Sequence, residues 1–185
     1  MNPADYNERL VVVSGCSSGG KSTLLAELDR LGYRTVMEPG RQIVKEQLET
    51  GGDALPWANA ARFVDLCIAR GAASYAAAST VGQTVLFDRS VVDAISAARS
   101  MRGELSADHQ SVLSQCRYAK RVFMVPPWRE LFANDAERRH GFEEAVNEYD
   151  RLLHDYREWG YDVEILPPLP LAQRAGHLMG RLSQA

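Results

Sequence analysis

Short apolar runs alternate with longer segments of helical periodicity from residue 10 to residue 182. Residues 10–14, LVVVS, form a β-branched run without polar alternation, the pattern of a strand buried on both faces. Residues 22–31 place Leu24, Leu25, Leu28 and Leu31 along one helical face, with Gly32 at the end. Residues 33–37 read as a second strand, and Pro39 suits the first turn of a helix running to residue 50. Gly51, Gly52 and Pro56 punctuate the next connection. Residues 57–78 read as a long alanine-rich helix, interrupted near Gly71. A third strand over 83–87 ends at Asp88, and helices follow over 91–101 and 107–118. The fourth strand, 121–125, is stopped by Pro126-Pro127. Residues 128–159 are highly charged and helical, with a break at Gly141. A fifth strand over 162–166 and a helix over 171–182 close the pattern.

Alternating strands and helices predict an α/β fold: a parallel sheet covered on both faces. Right-handed crossovers then gather the loops that follow the strands along one edge, where ligands bind. No repeat or separating linker is visible, so residues 1–185 are expected to form one domain.

Composition narrows the function. Apolar residues make up 45% of the 185, which excludes a disordered chain. A net charge of −3 argues against nucleic acid as a partner, since that needs a basic face, but leaves room for a small phosphorylated ligand. Cys16, Cys67 and Cys116 are odd in number, widely spaced and without adjacent histidines, so neither a disulfide scaffold nor a zinc site is expected. The polar start MNPADYNERL is unlike a signal peptide, and no apolar run approaches a membrane span. A reduced, cytoplasmic setting is therefore expected.

The strongest chemical signal is GCSSGGKS at residues 15–22, a full match to G-x-x-x-x-G-K-[ST] lying between a predicted strand and a predicted helix. Such a loop turns successive backbone amides toward one point at a helix N-terminus, which makes an anion cradle. Gly15, Cys16, Ser17, Ser18, Gly19, Gly20, Lys21, Ser22 and Thr23 are the candidate nucleotide-binding residues. Lys21 should reach the β- and γ-phosphates, Ser22 should offer its hydroxyl to Mg²⁺, and Thr23 should lie near the α-phosphate. Cys16 reads as a small loop residue, because a thiolate would compete with phosphate for the same positive field.

Further clusters follow later strands. Asp88 ends an apolar run in TVLFDRS, where a magnesium-organising carboxylate sits, and Arg89 suits an anionic substrate or the transferring phosphoryl group. The alternative makes Asp88 a helix cap and Arg89 a solvated charge. In MEPGR, Glu38 is a candidate proton acceptor for a substrate hydroxyl, or a magnesium ligand through water; the alternative makes it the cap of the helix that Pro39 begins. Arg41, one turn on, is a candidate for holding an acceptor. Arg138 and Arg139, within NDAERRHGFEEA, are candidates for closing over the phosphates from a helical lid at about 128–145; the alternative is a solvated helix with Arg139 paired to Glu143. Trp57 and Trp128 follow prolines near the same edge and suit either a pocket wall or core packing.

Taken in order, GCSSGGKST, MEPGR, LFDRS, MVPPW and DAERRHGFEEA resemble a small bacterial family of AAA-type ATPases. That family is similar to nicotinamide-riboside kinase domains and, more distantly, to thymidylate and deoxynucleoside kinases. The resemblance implies a three-layer P-loop NTPase fold with five parallel strands in order 2-3-1-4-5, flanked by helices. It implies that the segment around Glu38 contacts an acceptor, that the segment around Asp88 and Arg89 handles magnesium, phosphate or acceptor, and that Arg138 and Arg139 belong to a flap. The chain carries no base-reading signature, and no Asn/Thr-Lys-x-Asp guanine motif, so ATP is favoured over GTP. The expected activity is a kinase transferring the γ-phosphoryl group of Mg·ATP to an unidentified small hydroxyl-bearing or nucleotide-like acceptor. The alternatives are a nucleotide-binding switch or slow ATPase/GTPase acting through a partner, and a stand-alone regulatory ATP-binding module.

Overall fold

The β-branched run at residues 10–14 is the centre of the sheet. In the computed structural model, which describes residues 6–17, 19–129 and 141–183, β1 (Leu10–Gly15) pairs in parallel with β3 (Val85–Asp88) on one side and β4 (Arg121–Val125) on the other. The short strand β2 (Arg34–Val36) lies outside β3, and β5 (Asp162–Ile165) lies outside β4. The order is β2-β3-β1-β4-β5, all parallel, as the resemblance implies.

Alternation along β1 explains why it is buried throughout. Val11 and Val13 face Leu24, Leu25 and Leu28 of α1 (Lys21–Arg30), and Ala175 and Leu178 of α7 (Leu171–Leu182). Leu10 and Val12 face the opposite layer, built from α3 (Ala60–Ser79), α4 (Val91–Arg102), α5 (Ala107–Gln115) and α6 (Phe142–Glu158). Each fully buried aliphatic side chain contributes about 1.5–3 kcal/mol. The sheet is therefore held from both faces, and its carboxyl edge is a rigid base for loops. No helix among the described residues is long and apolar enough to cross a membrane.

Three expectations are corrected. The long helix is not interrupted near Gly71: α3 runs unbroken, and Gly71 serves close packing, since a Cβ there would lie 3.1 Å from the Cα of Val91. The helix expected to reach residue 118 stops at Gln115. Tyr118 is drawn into the core instead, edge-on to Phe87 and Tyr75, with its hydroxyl accepting the Val91 N–H. The long helix read from 57 begins only at Ala60, because Asn59 caps it by accepting the Arg62 N–H. The expected break at Gly141 is where α6 starts. Ser18, Arg138, Arg139 and most of the lid expected over 128–145 lie outside the described residues.

Candidate active site

Three strand ends meet at the carboxyl edge. β1 ends at Gly15, where the backbone takes φ +125° and a Cβ would stand 2.2 Å from the Val125 carbonyl oxygen, so glycine alone fits. The loop then turns through Gly20, in the left-handed region, into α1. No side chain of the described residues caps that helix, and its first turn holds no acidic residue. Its leading amides and positive dipole end thus face an anion site.

Lys21 opens α1 and is buried. Its Nζ donates to the carbonyls of Gly15 (3.1 Å) and Cys16 (2.6 Å), which clamps the ammonium across the mouth of its own loop. Burial pushes its pKa down, helped by the cationic Arg89 and opposed by Asp88, Glu38 and Glu148. Thr23 is exposed on the first turn, while the Gly19 carbonyl accepts from Arg174 (3.3 Å). Cys16 is buried, and burial pushes its thiol up, so it is no nucleophile.

Asp88 ends β3 directly beside the loop. Its Oδ2 accepts the Ser22 hydroxyl at 2.8 Å. Its Oδ1 is buried without a hydrogen-bond partner among the described residues. Burial pushes the carboxyl pKa up more than Lys21 pulls it down. An orphaned, desolvated carboxylate oxygen next to a serine hydroxyl fits a hard cation that takes oxygen ligands, and Ser22 and Asp88 are the residues that would hold Mg²⁺. Neither alternative for this segment survives: α4 is capped by Ser90, not by Asp88, and the Arg89 side chain is only 11% exposed rather than solvated.

Arg89 is the hub. It is the only non-glycine among the described residues with positive φ (63°), a turn that sends its guanidinium back under the loop. Nε stands 3.1 Å from Glu38 Oε1, Nη2 2.9 Å from Glu148 Oε1 and Nη1 3.7 Å from Asp93 Oδ1. Burial alone would lower its pKa, but Glu148, Glu38 and Asp93 outweigh that and hold it well above the ordinary value. Glu38 makes no capping bond to α2 (Pro39–Thr50), so its carboxylate is committed to Arg89 and not to the helix.

Asp93 supports this hub from below. It accepts from Ser14 Oγ of β1, from the Ser90 backbone and hydroxyl, and from Tyr156 of α6. Ser-x-x-Asp spacing at residues 90–93 resembles a capping box, and sequence alone therefore assigns Asp93 a structural task. Glu148 and Arg174 carry no such signal. Glu148 is one acid among many in a charged helix, and Arg174 reaches the loop only through the tertiary fold, with its guanidinium 5.5 Å from the Trp128 ring.

A cavity of about 510 Å³ opens beside the loop, lined there by Ser17 and Arg89. Glu38, Arg41, Glu144, Glu148 and Arg151 supply its charged wall. Val44, Trp57, Phe63 and Cys67 supply an apolar one, so Trp57 takes the pocket role and not the core role. The Cys67 thiol is pushed up to about 12 by burial and by Glu38, which leaves it a packing residue. A second acidic group, His154, Asp155 and Glu158, already holds Arg99 through Asp155 (3.3 Å) and Glu158 (2.6 Å), and lies outside this cavity.

Fold and site together define a P-loop protein. The chain belongs to the AAA domain family AAA_28, whose sequence profile matches residues 10–174. No curated protein matches it in sequence. Among solved structures it is similar to deoxyadenosine kinase from M. mycoides with products dCMP and a flexible dCDP bound: TM-score 0.62, 15% identity, covering 95% of this chain and 100% of that one. The same kinase with bound dCTP gives TM-score 0.58 at 15% identity, covering 95% and 99%, and with bound dATP 0.55 at 13% identity, covering 94% and 99%. At such identities the likeness establishes a shared kinase-like fold.

The environment of Asp88 yields a prediction with opposite signs for stability and ligand response. A carboxyl whose folded pKa is raised contributes stability below its unfolded value and loses it as pH rises through the folded value. At neutral pH the buried charge is therefore a cost, so Asp88→Asn should raise the melting temperature measured without added magnesium. The same variant should lose the extra protection that wild type gains from Mg·ATP over ATP with a chelator. Differential scanning fluorimetry in both conditions checks the pair; a lower melting temperature with intact magnesium response contradicts it.

Proposed function

We propose that this protein is a kinase that transfers the γ-phosphoryl group of Mg·ATP to a hydroxyl of a small metabolite bound in the cavity. The observation that carries the reading is the junction at Ser17 and Arg89: one phosphate-binding loop and one open cavity share a wall there, with the Glu38 carboxylate on the cavity side. A pure hydrolase has no use for such a chamber, whereas a phosphoryl acceptor must stand next to the terminal phosphate.

In this mechanism the amides of residues 15–23 and Lys21 hold the phosphates and neutralise charge that shifts toward the leaving oxygen. Ser22 and Asp88 would hold Mg²⁺, which would supply positive charge against the phosphates. The acceptor hydroxyl oxygen bonds to the γ-phosphorus as the bond to the β,γ-bridging oxygen breaks. ADP leaves with that electron pair, and the hydroxyl proton passes to Glu38. Arg89, fixed by its carboxylates, stands where the transferring group crosses. Arg41 would help hold the acceptor, and Arg138 and Arg139 would close over the donor phosphates. The deoxyadenosine kinase structures hold dCMP, dATP and dCTP. That supports a nucleoside-like or nucleotide-like acceptor against the Trp57 and Phe63 wall.

The test is a panel of nucleosides, nucleotides and vitamins incubated with Mg·ATP, read for ADP and for phosphorylated product by mass spectrometry. One or more compounds should gain a single phosphate in step with ADP. ADP formed without any phosphorylated compound would overturn the kinase reading.

A further inference from the structure

Glu148 is the one acidic side chain among the described residues that bonds to the backbone of the phosphate loop. Its Oε2 accepts the Ser17 N–H at 3.0 Å, while its Oε1 pairs with Arg89 at 2.9 Å. Ser17 is also the loop residue that lines the acceptor cavity. On the kinase reading, the phosphate nearest that cavity is the one that is transferred, so Ser17 marks the γ end of the loop. The β-phosphate, by contrast, belongs deeper, near Lys21 and the first turn of α1. A carboxylate and a terminal phosphate would thus use the same amide and the same guanidinium.

We propose that Glu148 is a specificity-determining residue that competes with the terminal phosphate for the Ser17 amide and Arg89, setting the balance between triphosphate and diphosphate binding. Each turnover then has a built-in exchange. Triphosphate must displace the carboxylate, and the carboxylate returns to the amide and to Arg89 when the phosphoryl group has left with the acceptor. ADP, which ends before Ser17, leaves Glu148 in place. The proposal rests on the kinase reading for which end of the loop is terminal.

The local charge supports competition over cooperation. Arg89 faces Glu38, Asp93 and Glu148, so its guanidinium is already held by three carboxylates before any phosphate arrives, with Lys21 and Arg151 the further cations near Glu148. Burial pushes the Glu148 carboxyl up, but Arg89, Lys21 and the Ser17 amide outweigh it and hold it below its ordinary value, so the group is ionised at neutral pH. Glu148 sits on α6, which is anchored next to it by Ala145, Tyr149 and Leu152 in the core. Displacement therefore needs only a rotation of the side chain.

Isothermal titration of Mg·ATP and Mg·ADP into wild type, Glu148→Gln and Glu148→Ala tests this. Glutamine keeps an oxygen for the Ser17 amide but removes the charge. It should tighten Mg·ATP by about tenfold, with Mg·ADP changed by less than about twofold. Alanine should tighten Mg·ATP at least as much, and melting curves establish that both variants fold. Equal shifts for the two nucleotides, no shift, or selective weakening of Mg·ATP would each overturn the proposal; the last would make Glu148 a supporter of the γ-phosphate through Arg89. No acceptor is needed for this experiment, so failure of the metabolite panel sinks the kinase reading without deciding the role of Glu148 at the loop.

Discussion

Lys21→Ala weakens Mg·ATP binding by about 10- to 100-fold, the loss expected when a charge-assisted hydrogen bond is removed at a desolvated site. Turnover falls further, by about 10²–10³, because a cation aimed at charge that grows in the transition state contributes more there than in the ground state. The physical basis is that Lys21 is the only cation carried on the loop itself, and its ammonium is held at the mouth by the Gly15 and Cys16 carbonyls. Stability should move the other way in Lys21→Met, which keeps an apolar stem. Burial, with Arg89, lowers the Lys21 pKa below its usual 10.5. A lysine with a lowered folded pKa costs stability while it is charged, and that cost disappears as pH rises through the folded value toward the unfolded one. The methionine variant should therefore melt higher than wild type at neutral pH, with the difference shrinking as pH is raised. Calorimetric titration and melting curves across pH check both halves. Unchanged affinity together with unchanged turnover would remove Lys21 from the site.

Much of the edge was legible because its signals are local. A β-branched run before a glycine-rich loop and a leucine-faced helix after it define β1, the loop and α1 without reference to anything distant. Strand order came from resemblance, since hydrophobic runs say that strands exist but not which are neighbours. The least legible parts depend on long-range encounters. Arg89 follows an obvious strand end, yet its burial under three carboxylates depends on Glu38 from the loop after β2, Asp93 from α4 and Glu148 from α6. The choice between cap and chemistry at Glu38 could not be made from MEPGR, because both use the same position before Pro39. The structure removes the cap and pairs Glu38 with Arg89, and nothing within a few residues of Glu38 announces that pairing. Gly71 misled for a related reason: glycine in a helix reads as a breaker until a partner backbone needs the space, and here Val91 does.

Glu38→Gln should separate chemistry from nucleotide binding. With the accepted metabolite and saturating Mg·ATP, the variant should lose about 10²–10⁴ of the acceptor-stimulated rate, the range that a positioned general base supplies. Its Mg·ATP affinity should stay within about twofold, since a group used only in the transition state lowers turnover without changing ground-state binding. The geometry argues for this split. Glu38 lines the cavity and touches Arg89 at 3.1 Å, while Asp93 and Glu148 still face the guanidinium after the substitution, so Arg89 keeps its place. Glutamine preserves shape and one acceptor oxygen and removes only the charge and basicity. The comparison needs ADP release with and without acceptor, alongside titration of Mg·ATP. A parallel fall in affinity and rate would show that Glu38 acts by holding Arg89 and not by taking the hydroxyl proton. If, instead, no metabolite stimulates wild type and a protein partner binds only one nucleotide state, Glu38→Gln should alter that partner's preference. The cavity would then belong to a nucleotide switch.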